Sequence, residues 1–152
     1  SSRLQRDWST RQRSREFREL LARRKELPAY QLREKIVRLV RNHRVVVVSG
    51  ETGCGKTTQL PQIVLDDMLE RGEGALANII CTQPRRISAV GVADRVASER
   101  AERLGETVGY QIRLESQRSN RTRLLFCTTG VLLRRLQCDG ALQGVSHIFV
   151  DE

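Results

Sequence analysis

Gly50-Glu51-Thr52-Gly53-Cys54-Gly55-Lys56-Thr57 follows the pattern G-x-x-x-x-G-K-[ST], and Thr58 continues it. The chemistry of this spacing is phosphate binding. Closely placed glycines let the backbone bend so that consecutive N–H groups point into one concavity. A helix beginning at Lys56 would add the partial positive charge of its N-terminus. Lys56 would bring a full charge to the β- and γ-phosphates of a nucleoside triphosphate, and Thr57 a hydroxyl to Mg²⁺. Cys54, inside the loop, is at least a small side chain. Beside Lys56 and a helix start its thiol is also a candidate for regulatory oxidation.

A second feature complements the first. Asp151-Glu152 directly follows the apolar run Ile148-Phe149-Val150. Two acids at the C-terminal tip of a strand are the expected counterpart of a phosphate loop, because open α/β sheets bind ligands at those tips. Asp151 would hold Mg²⁺ through its water shell, and Glu152 would also face the metal, orienting and deprotonating the attacking water.

These residues need a frame to bring them together. Val45–Ser49 is a continuous β-branched run, predicted as a strand buried on both faces ahead of the loop. Lys56 to about Leu69 reads as the helix after it. Asn78–Thr82 reads as a second buried strand, Leu124–Cys127 as another apolar strand and His147–Val150 as a final strand. Between Val108 and Glu115 apolar and polar residues alternate, which predicts one strand with a wet face, and Ser116–Arg121 a polar turn. Ile87 to about Arg103 and Val131–Leu136 carry helical spacing. Leu32, Ile36, Leu39 and Val40 do the same after Pro28, which suits a first helical turn. Strands alternating with helices predict an α/β fold, a mostly parallel sheet with helices on both faces.

Composition narrows the alternatives. The chain has 152 residues, 39% apolar and 30% charged, and a net charge of +9. Residues 1–44 hold 14 Lys/Arg against 5 Asp/Glu and so carry the whole excess. A basic arm of this kind is a candidate for phosphate backbones, or else a solvated leader. Within it Phe17, Leu20 and Leu21 sit at helical spacing, as in a helix that gains order by docking. Residues 1–26 therefore read as a basic leader or linker and 27–152 as the nucleotide-binding unit. Aromatics are 4% of the chain, too few for a base-stacking platform. The longest aliphatic run, Val45–Val48, is far too short for a membrane span. Cys54, Cys81, Cys127 and Cys138 form no C-x-x-C, which argues against a zinc site and for reduced thiols in an intracellular protein, cytoplasmic or nuclear.

Thr82-Gln83-Pro84-Arg85-Arg86-Ile87-Ser88-Ala89, taken with Gly50–Thr58 and Asp151-Glu152, resembles the first RecA-like domain of a DEAH-box RNA helicase, more narrowly the RNA helicase A-like branch. The likeness covers about residues 27–152. It includes Leu27-Pro28, Gly109-Tyr110-Gln111-Ile112-Arg113 and Thr128-Thr129-Gly130-Val131-Leu132. It implies a P-loop NTPase that couples ATP hydrolysis to 3′-to-5′ movement on RNA, separating duplexes or releasing proteins. It also implies that Gln83, Pro84, Arg85 and Arg86 lie along the RNA backbone and that Thr128, Thr129 and Gly130 form a second backbone contact. Thr129 stands where spliceosomal members usually carry Asp. Arg95 matches an arginine that stacks on adenine in that family. The motif after Asp151-Glu152, the coupling Ser-Ala-Thr motif and a second RecA-like domain would all lie beyond this chain. The 152 residues alone are therefore expected to bind nucleotide weakly and hydrolyse little.

Two other classes compete. The first is another P-loop NTPase, a kinase or a GTPase, and a GTPase would need a guanine-reading Asn-Lys-x-Asp segment, which the sequence lacks. A non-enzymatic RNA-binding adaptor with a degenerate motor is opposed by intact Lys56, Thr57, Asp151 and Glu152.

Overall fold

The computed structural model describes residues 2–151. Its frame is a five-stranded sheet in the order β3-β2-β4-β1-β5. The strands are β1 (Ile79–Gln83), β2 (Val108–Ile112), β3 (Glu115–Gln117), β4 (Leu124–Thr128) and β5 (His147–Val150). All neighbours pair in parallel except β2 with β3. β1 is buried at every position. Alternation assigns its faces: Ile79 and Cys81 enter the main core, while Ile80 packs with Cys127 and Leu132 on the other side.

Seven α-helices surround the sheet in the described residues: α1 (Ser2–Arg13), α2 (Arg15–Lys25), α3 (Pro28–Gln31), α4 (Arg33–Asn42), α5 (Lys56–Glu70), α6 (Arg86–Glu99) and α7 (Thr129–Cys138). α5 and α6 fill the main core with Val64, Leu65, Met68, Ala89, Ala93 and Val96, and α7 covers the opposite face through Leu132. The α/β fold with helices on both faces is thus as expected. Gln59–Leu69 of α5 is buried throughout, so this helix is a central member of the core.

The basic N-terminal residues fold back onto that core. Ser14 accepts the Phe17 amide at 3.2 Å and caps α2, which separates it from α1. Trp8 and Phe17 meet edge to face, with centroids 5.4 Å apart, and both are buried in the main cluster.

Three expectations need correction. Val45–Ser49 is extended but pairs with no strand, and Val45 and Val47 are 81% and 89% exposed. β-branched side chains favour extended backbone, yet a strand exists only where a neighbour completes its ladder. A cleft of about 610 Å³ lined by Val46, Val48, Leu60 and Phe149 lies between this segment and β5. The alternating stretch Val108–Glu115 is a hairpin and not one strand. The chain reverses at Leu114 (φ +65°), and β3 runs antiparallel to β2 where a polar turn was expected. Gly109 permits the approach, since a Cβ there would lie 2.6 Å from the Gln117 carbonyl oxygen. Finally, the helix after Pro28 breaks at Leu32 into α3 and α4.

Candidate nucleotide and nucleic-acid site

Parallel pairing puts the C-terminal ends of β1, β4 and β5 on one edge of the sheet. The register sets Gln83 beside Thr128 and Thr82 beside Val150, so Pro84–Arg86, Thr129–Gly130 and Asp151 all emerge there. The loop before α5 arrives at the same edge. Gly53 (φ +85°) and Gly55 (φ +91°) take left-handed conformations that L side chains resist, which is why glycine is required at both. α5 then begins at Lys56 with Gly55 as its cap.

The loop and the acid meet. Thr57 donates its hydroxyl to Asp151 Oδ2 at 2.6 Å. Gln83 Nε2 donates to the same oxygen at 2.8 Å. Asp151 is tied to the sheet by its amide, which donates to the Thr82 carbonyl at 3.3 Å. Lys56 Nζ turns back into the loop and donates to the Gly50 carbonyl and, at 3.0 Å, to that of Glu51. Cys54 Sγ is 3.6 Å from the same ammonium. Gly50–Gly53 are open to solvent, Cys54–Thr58 partly so.

The donor set suits a hard, weakly protein-bound cation. Among the described residues no three His, Cys, Asp or Glu side chains cluster as a metal cage. One carboxylate beside one hydroxyl, with room for phosphate oxygens and water, is how Mg²⁺ is commonly held in phosphoryl-transfer sites. Glu152 lies outside the described residues.

The other sequence candidates separate into two groups. Pro84, Arg85, Arg86, Thr129 and Gly130 are exposed at the strand tips. Arg86 opens α6, and Thr128 caps α7 through its backbone position. Gln83, expected at the RNA backbone, is 5% exposed and turned toward Asp151. Arg95 is on the surface of α6, its Nε 3.0 Å from Glu99 Oε1.

Sequence reasoning passed over a buried polar network beneath the loop. Asp66 accepts Arg24 Nη2 at 3.1 Å and Arg100 Nη1 at 2.6 Å. Burial pushes Arg100 down, but Asp66 and then Glu102 hold its guanidinium above the ordinary value. Arg100 also lies over the Trp8 ring, 5.2 Å from the centroid, and Arg11 pairs with Glu102. Burial raises the Glu102 carboxyl against the opposing pull of Arg100 and Arg11. The available signal was Gln59, Gln62 and Asp66, spaced i, i+3 and i+7 along an otherwise largely apolar helix.

No helix of the described residues is long and apolar enough to cross a membrane. No protein-family profile matches the chain. Individual proteins do. The chain is 67% identical over 141 residues, 93% of its length, to the human protein named "Putative ATP-dependent RNA helicase DHX57". It is 60% identical over 129 residues, 85% of its length, to DExH-box ATP-dependent RNA helicase DExH3 of Arabidopsis thaliana. It is 54% identical over 132 residues to human ATP-dependent DNA/RNA helicase DHX36, again 85% of its length. These matches span 10%, 11% and 13% of the relatives, so the chain corresponds to about a tenth of such a protein.

Proposed function

Because this chain belongs with the DEAH/DExH-box ATP-dependent RNA helicases, matching one segment of them, we propose that it forms the nucleotide-binding part of an RNA-stimulated ATPase. That ATPase couples hydrolysis to RNA translocation, with duplex unwinding or release of bound protein. The observation that carries the reading is the 2.6 Å contact between Thr57 and Asp151, which joins the glycine loop and the strand-tip acid in one site.

Gly50–Thr58 hold the triphosphate, with backbone amides of the loop and the start of α5 facing its oxygens. The Lys56 ammonium exchanges its loop carbonyls for β- and γ-phosphate oxygens, swapping neutral acceptors for charged ones. Thr57 and Asp151 would hold Mg²⁺, which would supply positive charge against the phosphates. Gln83 orients the Asp151 carboxylate. Glu152 takes the proton of the attacking water. Arg95 stacks on the base at the rim.

On the RNA side, Arg85 and Arg86 meet phosphates at the tip of β1, and Thr128–Gly130 do so at the tip of β4. Such contacts position a strand without reading its bases. Motion at Asp151 would be felt at the RNA contacts through Gln83, which precedes Pro84 directly. A second RecA-like domain, supplied outside this chain, would close the nucleotide site.

The test is ATP hydrolysis by the full-length protein with and without single-stranded RNA. Lys56→Ala is expected to abolish the RNA-stimulated rate. Lys56→Ala with full turnover would refute the ATPase reading, and cellular function unaltered by it would favour the adaptor.

A further inference from the structure

The phosphate loop is gripped from the N-terminal side by residues that the nucleotide chemistry leaves unused. The Ala29 amide donates to the Cys54 carbonyl at 3.0 Å. A Cβ built on Gly55 would lie 3.3 Å from Leu27 Cδ1, so Leu27 packs directly on the loop backbone. Arg24, 1% exposed, donates from Nε to Gln59 Oε1 at 2.9 Å. Gln59 passes that contact to the loop: its Nε2 lies 3.0 Å from Thr58 Oγ1, and Thr58 Oγ1 lies 3.4 Å from the Gly55 carbonyl. The same Nε2 is 2.9 Å from Glu99 Oε2, which also accepts Gln62 at 2.8 Å. The far oxygen of Glu99 takes Arg95.

Packing alone does not account for this arrangement. Burying Arg24, Gln59 and Glu99 desolvates groups that an apolar side chain would replace at lower cost. A connected polar network fixes one arrangement of its members where an apolar contact tolerates several. The members here are the two residues after the loop lysine and threonine, together with the helix that carries Arg95.

We infer that Arg24, Leu27 and Ala29 are positioning residues for the phosphate loop, so that α2 and α3 form part of the nucleotide site and are not a tether. This rests on the nucleotide reading above. Arg24 acts through Gln59 on Thr58. Ala29 holds the Cys54 carbonyl outward, away from the concavity. Leu27 backs the left-handed turn at Gly55.

The experiment uses the full-length protein and titrates ATP in the presence of Mg²⁺, with amide hydrogen exchange in α2 and α5 recorded for each variant. Arg24→Met leaves Asp66 its contact with Arg100. It is expected to weaken ATP about tenfold, the scale of one charged hydrogen bond lost behind the loop. Arg11→Met is the control. It breaks the pair by which the neighbouring helix α1 docks on Glu102 but touches nothing in the loop, and it should lower stability while leaving ATP affinity within about twofold, too small a change for a lost hydrogen bond. Ala29→Pro is the independent arm. Its amide serves Cys54 and no helix bond, so proline there removes that contact without breaking a helix hydrogen bond, while constraining Pro28 before it. It too should weaken ATP several-fold, and it decides the matter if Arg24→Met does not fold. ATP affinity unchanged in Ala29→Pro and in a folded Arg24→Met overturns the inference. So does an equal loss in Arg11→Met, which would mean that stability alone is read. Lys56→Ala separates the two levels: if it too binds ATP normally, the nucleotide reading itself has failed.

Discussion

Replacing Asp66 with asparagine removes the charge that Arg24 and Arg100 share and keeps the side chain's size. Both guanidiniums are at most 1% exposed, and their bonds to Asp66 are 3.1 and 2.6 Å. Removing one partner of a buried ion pair typically costs about 3–5 kcal/mol, because the charge left behind keeps its desolvation penalty. Here two charges are left. Arg24 retains Gln59, and Arg100 retains Glu102 at 3.9 Å. The lower end, about 3 kcal/mol, is therefore the expected cost. Amide hydrogen exchange in α5 reads this locally in the intact protein, where a global melting point would mix several domains. About 3 kcal/mol corresponds to exchange faster by roughly 150-fold at Ile63–Met68. The triple variant Arg24→Met, Asp66→Leu, Arg100→Met removes every charge of the set and should return most of the protection. Exchange accelerated by less than about fivefold in Asp66→Asn, or a triple variant worse than the single one, would refute the ion-pair reasoning.

Three further outcomes follow from the same geometry. RNA affinity should fall with salt, and Arg85→Ala combined with Arg86→Ala should reduce the slope of log affinity against log salt by about 1.4 for single strands, two phosphates' worth; an unchanged slope would place these arginines off the RNA. Iodoacetamide at pH 8 should label exposed Cys138 and spare Cys81 and Cys127. Burial raises the Cys81 thiol, with Asp151 adding to it, and pushes Cys127 up to about 11; mass spectrometry showing rapid labelling of Cys81 would contradict that burial. Burial and then Arg71 lower the folded value of His147, against the opposing pull of Asp67. The unfolded chain then binds more protons below its own value of about 6.5. His147 therefore contributes stability that is complete above that pH and is lost as pH falls through the folded value. Amide-exchange protection of β5, followed between pH 5 and 8, should lose part of its acid-side decline in His147→Asn, and a steeper decline would reverse the sign.

How far the residues alone disclosed the fold depends on what each signal encodes. The runs at β1 and β4 are continuous and apolar because both faces of those strands are covered, and burial of that kind is legible as composition, whereas β5 leaves Ile148 and Val150 exposed on one face. The loop was legible because Gly53 and Gly55 occupy left-handed positions that few other residues tolerate. Leu114 shows the opposite case. It takes φ +65° with no glycine to announce it, so the alternation of β2 ran on unbroken through the turn. Val45–Ser49 carries an honest preference for extended backbone, but propensity cannot say whether a neighbouring strand stands alongside. The network around Asp66 was missed because charge reads by default as surface. Arg24 follows the exposed Arg23 and Arg100 sits between Glu99 and Ala101, so only three-dimensional convergence on one carboxylate marks them out. At the candidate site, proximity of Thr57 to Asp151 was inferred from strand-tip logic and appears as a 2.6 Å hydrogen bond. The inward turn of Gln83 onto the same oxygen was not foreseen.

The central claim is that the glycine loop and Asp151 hold one nucleotide and its metal between them. Calorimetric titration of ATP into the full-length protein, with Mg²⁺ and again with chelator, tests it most directly. In the natural sequence Mg²⁺ should strengthen ATP binding, and in Asp151→Asn that gain should largely vanish while metal-free binding persists. An Asp151→Asn protein that keeps the whole Mg²⁺-dependent gain would contradict the account.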